Sequence, residues 1–279
     1  MSQHRSSDGE LEKIETVLLL EGIYRRYGYD FRNYSYASIH RRIWHRIHLE
    51  GLSNVSSLQE QVMHDSDAFF RLLGDFFIPV TEMFRDPETF LVFRRDVVPL
   101  LRDLPYIRIW HAGCSTGEEV HSMAILLHEE GLLDKTRIYA TDINEDALQR
   151  AKDGMISIDR MKQYTKNYQA AGGTRSFSDY YDSDHGVVML KPHLRRNTVI
   201  ARHNLVTDSS FNEFHVILCR NVMIYFNNKL RDQVHKLIYE SLALEGFLIV
   251  GGKESLSFTP LADRYETRNS PNRIFRKIR

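Results

Sequence analysis

Residues 107–152 switch twice between two periodicities. The runs 107–111 and 137–141 are short and rich in β-branched and aromatic side chains, whereas 119–130 and 145–152 carry apolar residues at helical spacing. A strand, helix, strand, helix order admits few folds, because parallel neighbouring strands need a crossover and that crossover is right-handed. The expected class is therefore α/β with a parallel sheet. Further strands are expected at 198–202, 214–219 and 247–251, a helix at 229–244, and a closing strand at 273–277. Between 155 and 196 the alternation stops. Tyr, Ser, Asp and Gly dominate there, and Val187-Val188-Met189-Leu190 reads as a strand, so this stretch is expected to be an inserted subdomain with small antiparallel strands.

Upstream of 105 the pattern is helical throughout. In 11–27 the residues Leu11, Ile14, Leu18 and Ile23 suggest an inward stripe that Gly28 ends, and 38–50, 57–63 and 66–76 also read as helices. Pro87 suits the first turn of a helix over 88–102, with Asp86 as its N-cap. The expected organisation is a helical domain at 1–104 and an α/β domain at 105–279, interrupted by the insert at 155–196. A length of 279 residues agrees with about two domains. With 42% hydrophobic and 27% charged residues, the composition is that of a globular chain.

Thirty-seven basic against thirty-seven acidic residues leave no overall field to attract nucleic acid or anionic lipid. Cys114 and Cys219 are too few and too far apart for a disulfide framework or a zinc cage, which fits a reducing compartment. Val17-Leu18-Leu19-Leu20 is too short for a signal-peptide apolar region, and no run of eighteen apolar residues follows. A cytoplasmic protein is expected, with no metal site and, in the absence of a heptad run, a monomer.

The chemistry concentrates first in Ala112-Gly113-Cys114-Ser115-Thr116-Gly117-Glu118-Glu119, where a strand runs into a glycine-bearing loop and then a helix. Ligands of open α/β sheets lie beyond the carboxyl ends of the strands, so the loop is in the right place. Its glycines are spaced Gly-x-x-x-Gly, and the dinucleotide signature Gly-x-Gly-x-x-Gly is absent. Two carboxylates at the helix N-terminus would repel a pyrophosphate and suit a cation. The plainer alternative is an ordinary turn whose acids complement the helix dipole. The second signal is Ala140-Thr141-Asp142-Ile143-Asn144, which puts an acid where it can accept hydrogen bonds from both ribose hydroxyls. Here the alternative is that Asp142 or Asn144 caps the next helix. A ribose, no phosphate clamp and acids facing a cation together suggest S-adenosylmethionine, whose sulfonium and ammonium are positive.

At this point the chain resembles a known family. The two segments above, Arg202-His203-Asn204-Leu205, Cys219-Arg220-Asn221-Val222-Met223-Ile224-Tyr225-Phe226 and Val80-Thr81-Glu82-Met83-Phe84-Arg85-Asp86-Pro87 are similar, in order and spacing, to motifs of the CheR chemotaxis protein methyltransferases. The resemblance spans 80–255. It implies a Rossmann-like class I methyltransferase domain behind an all-α domain, and transfer of methyl groups from S-adenosylmethionine to glutamate side chains in the helical signalling domain of chemoreceptors. S-adenosylhomocysteine would be the other product. By motif position, Thr81 and Arg85 would reach the cofactor, and Glu118 or Glu119 would hold its ammonium. Asp142 would hold the ribose, Asn204 and Leu205 would flank the adenine, and Ala112, Cys219 and Arg220 would border the site. Tyr225 would lie near the transferred methyl, and Arg85 and Tyr225 are the catalytic candidates.

A glutamate acceptor is ionised at neutral pH, so alignment matters more than a general base. Arg85 could fix such a carboxylate through its planar fork. In 40–48, Ile39, Ile43 and Ile47 are expected inward and Arg42 and Arg46 outward, a basic face that by analogy would meet an acidic receptor bundle; a solvated face with no partner is the alternative. The chain departs from the family pattern at Pro79, Val120-His121, Ile156 and Gly251-Gly252-Lys253-Glu254-Ser255. Two rival functions remain: methyl transfer to another acceptor, and a binding module without turnover.

Overall fold

The computed structural model describes residues 2–77, 81–184, 186–257 and 259–279, with side chains from residue 9 onward. Pro79 therefore lies outside the described residues. The chain divides into two compact units, Met1–Ile78 with Tyr225–Arg231, and Pro79–Ile224 with Asp232–Arg279.

The first unit contains α1 (Ser2–Tyr27), α2 (Tyr36–Leu49), α3 (Val55–His64) and α4 (Ser66–Phe76). Gly28 ends α1 at φ +78°, its N–H on the Tyr24 carbonyl. The buried face of α1 is Thr16, Leu19, Leu20 and Ile23, whereas Leu11, Ile14 and Leu18 are more than half exposed. That corrects the expected stripe. The helix carries apolar residues on two faces, and local spacing alone cannot choose between them. Asn54 and Asp65 cap α3 and α4 by accepting from Ser57 and Asp67 N–H.

On α2, Ile39, Ile43 and Ile47 are buried as expected, but Arg42 is buried too and Arg46 is largely so. Arg42 donates to the Asp75 and Phe76 carbonyls at 2.7 and 2.8 Å, which are among the unpaired carbonyls that end α4. Arg46 pairs with Asp75 at 2.6 Å. Neither arginine offers the outward face the sequence suggested. Their long stems pack on the apolar side while their heads serve this internal helix end. Arg41, His45 and His48 are the exposed bases of α2. The 225–231 stretch belongs to this unit through the Tyr34 to Phe226 bridge, their rings 4.9 Å apart, and the Ser35 N–H donated to the Tyr225 carbonyl at 2.7 Å.

The second unit begins with α5 (Pro87–Val92) and α6 (Val98–Leu101), joined by a π turn over Phe93–Val97. Pro99 cannot donate an N–H within this run, consistent with the widened turn. Phe90, Val92, Phe93, Val97, Val98 and Leu101 share one core with the sheet. The boundary therefore lies at 78/79 and not near 105. A helical period marks secondary structure, not the core it joins.

The sheet contains β1 (Ile107–Ala112), β2 (Thr136–Asp142), β6 (Thr198–Arg202), β7 (Phe214–Cys219), β8 (Leu242–Val250), β9 (Tyr265–Asn269) and β10 (Ile274–Lys277), in the order β6-β2-β1-β7-β8-β10-β9. β6, β2, β1, β7 and β8 pair in parallel, and β10 is antiparallel to its neighbours. Helices α7 (Glu118–Glu129), α8 (Glu145–Asp153) and α11 (Asn228–Ser241) connect them. Strand β9 was not expected, because Glu266, Thr267 and Arg268 give it little apolar character. The order reverses at β1, between β2 and β7, and a crevice opens at such a switch point.

The insert holds β3 (Met155–Ile156), β4 (Tyr181–Asp184) and β5 (Val187–Leu190), antiparallel as β3-β5-β4, together with α9 (Met161–Ala170) and the short α10 (Pro192–Arg195). Helix α9 was missed. Its buried residues are Tyr164, Asn167 and Tyr168, two aromatics and an amide with no aliphatic stripe. Among the described residues, no helix is long and apolar enough to cross a membrane.

Candidate active site

Strand β1 ends at buried Ala112, and the chain turns through Gly113 (φ +80°), Ser115 (φ +50°) and Gly117 (φ +94°). Position 113 demands glycine, since a Cβ there would lie 2.4 Å from Val222 Cγ2. The turn brings the Ser115 N–H to Asp142 Oδ2 at 2.8 Å, while the Asn144 N–H reaches Oδ1 at 3.0 Å. Asn144 itself caps α8, accepting from Ala147 N–H at 3.1 Å. Asp142 is therefore not spent on capping. Each of its oxygens accepts one of these bonds and keeps a lone pair for another donor. Burial outweighs its backbone hydrogen bonds and raises its pKa.

The two glutamates of α7 part company. Glu119 accepts from His111 Nδ1 at 2.8 Å and pairs with Arg220 at 2.9 Å; burial pushes its pKa up, but these partners outweigh burial and hold it low. Glu118 is buried and accepts from the Thr116 hydroxyl at 2.6 Å, and among the described residues it has no ion pair. Burial raises its pKa above 4.5. A raised carboxylate holds a proton in part above that pH, and a neighbouring cation favours the ionised form. Binding of an ammonium ligand should therefore release protons, and affinity should rise with pH from 4.5 upward until Glu118 is ionised in the free protein. Calorimetry between about pH 5 and about pH 7.5, in buffers of differing ionisation enthalpy, should show this for the wild type and not for Glu118→Gln.

The 81–86 segment is held from several sides. Phe84 is fully buried at φ +51°, its N–H on Ser122 Oγ at 2.8 Å, and Asn167 donates to the Met83 carbonyl at 3.0 Å. Arg220 donates to the Arg85 carbonyl at 3.0 Å and pairs with Asp86 at 2.7 Å. Asp86 stands at the expected N-cap position of α5, but its carboxylate serves Arg220 and does not cap. Left-handed residues on both sides of Arg85 persist because these contacts over-determine the backbone. Thr81 is half-buried, and its carbonyl accepts from Arg160 at 3.2 Å.

Beyond β7, Cys219 and Arg220 are buried, and burial pushes the Cys219 thiol up. The following loop is gathered by Glu254, whose carboxylate accepts from Asn221, Val222, Met223 and Gly251 N–H at 2.9, 3.0, 2.8 and 2.6 Å. Asn204 and the half-buried Leu205 lie in a turn in which the Asn204 side chain accepts from Val206 N–H at 2.9 Å. The adjoining His203 N–H reaches the Asp142 carbonyl at 3.1 Å. His121 is buried and kept neutral, its pKa lowered to about 3 by burial, and Lys253 is exposed.

The structure thus gathers Ala112, Glu118, Asp142, Asn204, Leu205, Cys219 and Arg220 at the ends of β1, β2, β6 and β7, with the Thr81 to Asp86 segment held to α7, α9 and Arg220. Tyr225 groups with the helical unit, where the Arg42 guanidinium lies 5.1 Å from its ring centre. His111 and Glu254 were missed as supporting residues. A histidine on the strand before an acid-bearing loop, and a glutamate just beyond the Gly251-Gly252 strand end, were the available signals.

The crevice fits S-adenosylmethionine: a close-approach glycine turn, a carboxylate with lone pairs to spare, and a buried acid that forms no ion pair among the described residues. The pattern of the CheR methyltransferase SAM binding domain matches residues 79–273, and that of the CheR methyltransferase all-alpha domain matches 15–77. A Pseudomonas putida protein named as a methyltransferase, Cher3, is 52% identical over 277 residues, covering 99% of this chain and 100% of that one. A chemotaxis protein methyltransferase of Listeria innocua is 30% identical over 192 residues, covering 68% and 69%. Chemotaxis protein methyltransferase 1 of Vibrio cholerae is 29% identical over 238 residues, covering 81% and 82%. The chain belongs to the CheR methyltransferase family, and S-adenosylmethionine is its cofactor.

Proposed function

We propose that this methyltransferase esterifies glutamate side chains in the helical signalling domain of chemoreceptors, acting in the cytoplasm. Support comes from the relatives named chemotaxis protein methyltransferases and from a site that pairs an uncompensated acid with a ribose-type acid. The observation that carries the reading is the contrast between Glu119, committed to His111 and Arg220, and Glu118, which forms no ion pair among the described residues.

Bound S-adenosylmethionine supplies a methyl group on a positively charged sulfur. Glu118 holds the ammonium, Asp142 accepts from the ribose hydroxyls, and Asn204 and Leu205 flank the base. Ala112, Thr81 and Cys219 wall the site. Arg220 acts at one remove, since its guanidinium is occupied in holding Glu119 and the Arg85 segment. Arg85 orients the acceptor carboxylate with two parallel N–H donors. Tyr225, six residues past the end of β7, is the second catalytic candidate by its place in the family motif. No proton needs to be removed from an ionised acceptor, so these residues align groups and exclude water.

Asp142→Ala should weaken S-adenosylhomocysteine binding about tenfold or more by calorimetry, from the lost charge-assisted bonds. The acceptor is tested by incubating the protein with labelled S-adenosylmethionine and a receptor signalling domain. Base-labile label on glutamate is expected. A base-stable product would point to another acceptor, and tight binding without label to a module that does not turn over.

A further inference from the structure

An α-amino acid carries its ammonium and carboxylate on one carbon, so whatever binds one must stand beside whatever binds the other. Glu118 supplies the acceptor for the ammonium. Two cations bear on Glu118, Arg150 of α8 and Arg160 of the insert. Arg160, in the 3-10 turn that precedes α9, donates from Nη1 to the Thr81 carbonyl at 3.2 Å, and its charge favours the ionised form of Glu118. Tyr164 lies four residues on, one helical turn along the same face. Its side chain is buried at 1% exposure, yet among the described residues its hydroxyl completes no well-formed hydrogen bond, with the Arg160 side chain the one group placed to bond it. Leaving a buried hydroxyl unpaired costs free energy and requires a reason. The charges that bear on that hydroxyl are those of Glu118, Arg160 and Glu82, on the α7 side of α9 and on the Thr81 segment.

We propose that the inserted segment completes the cofactor site, with Arg160 and Tyr164 donating hydrogen bonds to the carboxylate of the cofactor's amino-acid end while Glu118 accepts from its ammonium. This rests on the Glu118 assignment above. It divides the labour between two arginines: Arg160 serves the cofactor's carboxylate and Arg85 the acceptor's. Both new donors come from within 155–196, so the insert takes part in cofactor binding as well as in packing.

The test compares two ligands that share the nucleoside and differ in the amino acid. S-adenosylhomocysteine has the carboxylate and 5′-methylthioadenosine lacks it. Calorimetry on wild type, Arg160→Ala, Tyr164→Phe and Glu118→Gln should show S-adenosylhomocysteine weakened about tenfold or more in Arg160→Ala and about threefold or more in Tyr164→Phe. Affinity for 5′-methylthioadenosine should stay within about twofold in both. Arg160 is exposed and Tyr164→Phe is conservative, so both variants should fold. Equal loss for the two ligands in Arg160→Ala would mean that the arginine only braces Thr81, and would overturn the proposal. If Glu118→Gln weakens S-adenosylhomocysteine and neither insert variant does, the ammonium assignment stands and this proposal alone fails. If Glu118→Gln has no effect on either ligand, the ammonium assignment fails and takes the proposal with it.

Discussion

Replacing Glu254 by alanine lowers the melting temperature of the sheet unit by roughly 8–16 °C. The figure follows from about 4 kcal/mol for removing one partner of a buried charged hydrogen-bond set and about 2–4 °C per kcal/mol for a unit of this size. Four backbone N–H groups converge on this one buried carboxylate, three from the loop after β7 and one from Gly251. Without it they face a pocket with nothing to accept from them. The same loop carries Val222, which would lie 2.4 Å from a Cβ at position 113 and so backs the glycine turn of the cofactor crevice. S-adenosylhomocysteine binding should therefore weaken along with stability. Calorimetric unfolding of Glu254→Ala and Glu254→Gln checks this, and a shift under about 3 °C in both would remove the role. The pH dependence has a defined sign. Burial raises Glu254 above 4.5, so the folded state holds more proton than the unfolded state just above that pH. The contribution of this group to stability falls as pH rises from 4.5 through the raised value, and the alanine variant should lack that slope.

Arg85→Ala should lower the rate of base-labile methyl transfer by about 10²-fold, the scale of a reacting group left about an ångström out of line. S-adenosylhomocysteine affinity should change by less than about threefold, because the proposed role is toward the acceptor. Arg85→Lys should recover only part of the rate, since a lysine is a point charge and cannot donate two parallel bonds to one carboxylate. The backbone around the site favours a fixed arginine: Phe84 is anchored on Ser122, and the Arg85 carbonyl and the Asp86 carboxylate are both held by Arg220. The wild-type rate should stay flat above about pH 6, where a glutamate acceptor is ionised and no base is needed. Initial rates with labelled S-adenosylmethionine and a receptor domain decide the matter. Equal losses of rate and cofactor affinity in Arg85→Ala would assign the arginine to the cofactor instead.

Much of the site was legible because it is written in short segments. A strand, a Gly-x-x-x-Gly turn and an acid at the end of the next strand need only local spacing, and Gly113, Gly117 and Asp142 stand where that spacing put them. The resemblance then supplied the roles of Thr81, Arg85, Asn204, Leu205 and Tyr225, which no periodicity could have suggested. The supporting residues were not legible. His111 meets Glu119 eight positions away, and Glu254 reaches the loop after β7 across thirty or more. Nothing in either local sequence names its partner.

By itself the sequence determined the alternation that makes a parallel sheet, the position of the crevice at its carboxyl ends, the small antiparallel insert and the family. These follow from side-chain period, backbone freedom at glycine and motif order, all of which act over a few residues. The tertiary structure alone decided between chemically equivalent neighbours. It committed Glu119 to Arg220 and left Glu118 with no ion pair among the described residues, turned Arg42 and Arg46 onto the end of α4, buried Leu19 and Leu20 of α1 in place of Leu11 and Ile14, and joined Pro87–Val92 to the sheet. In each case two residues of like character competed for one environment, and a partner distant along the chain made the choice.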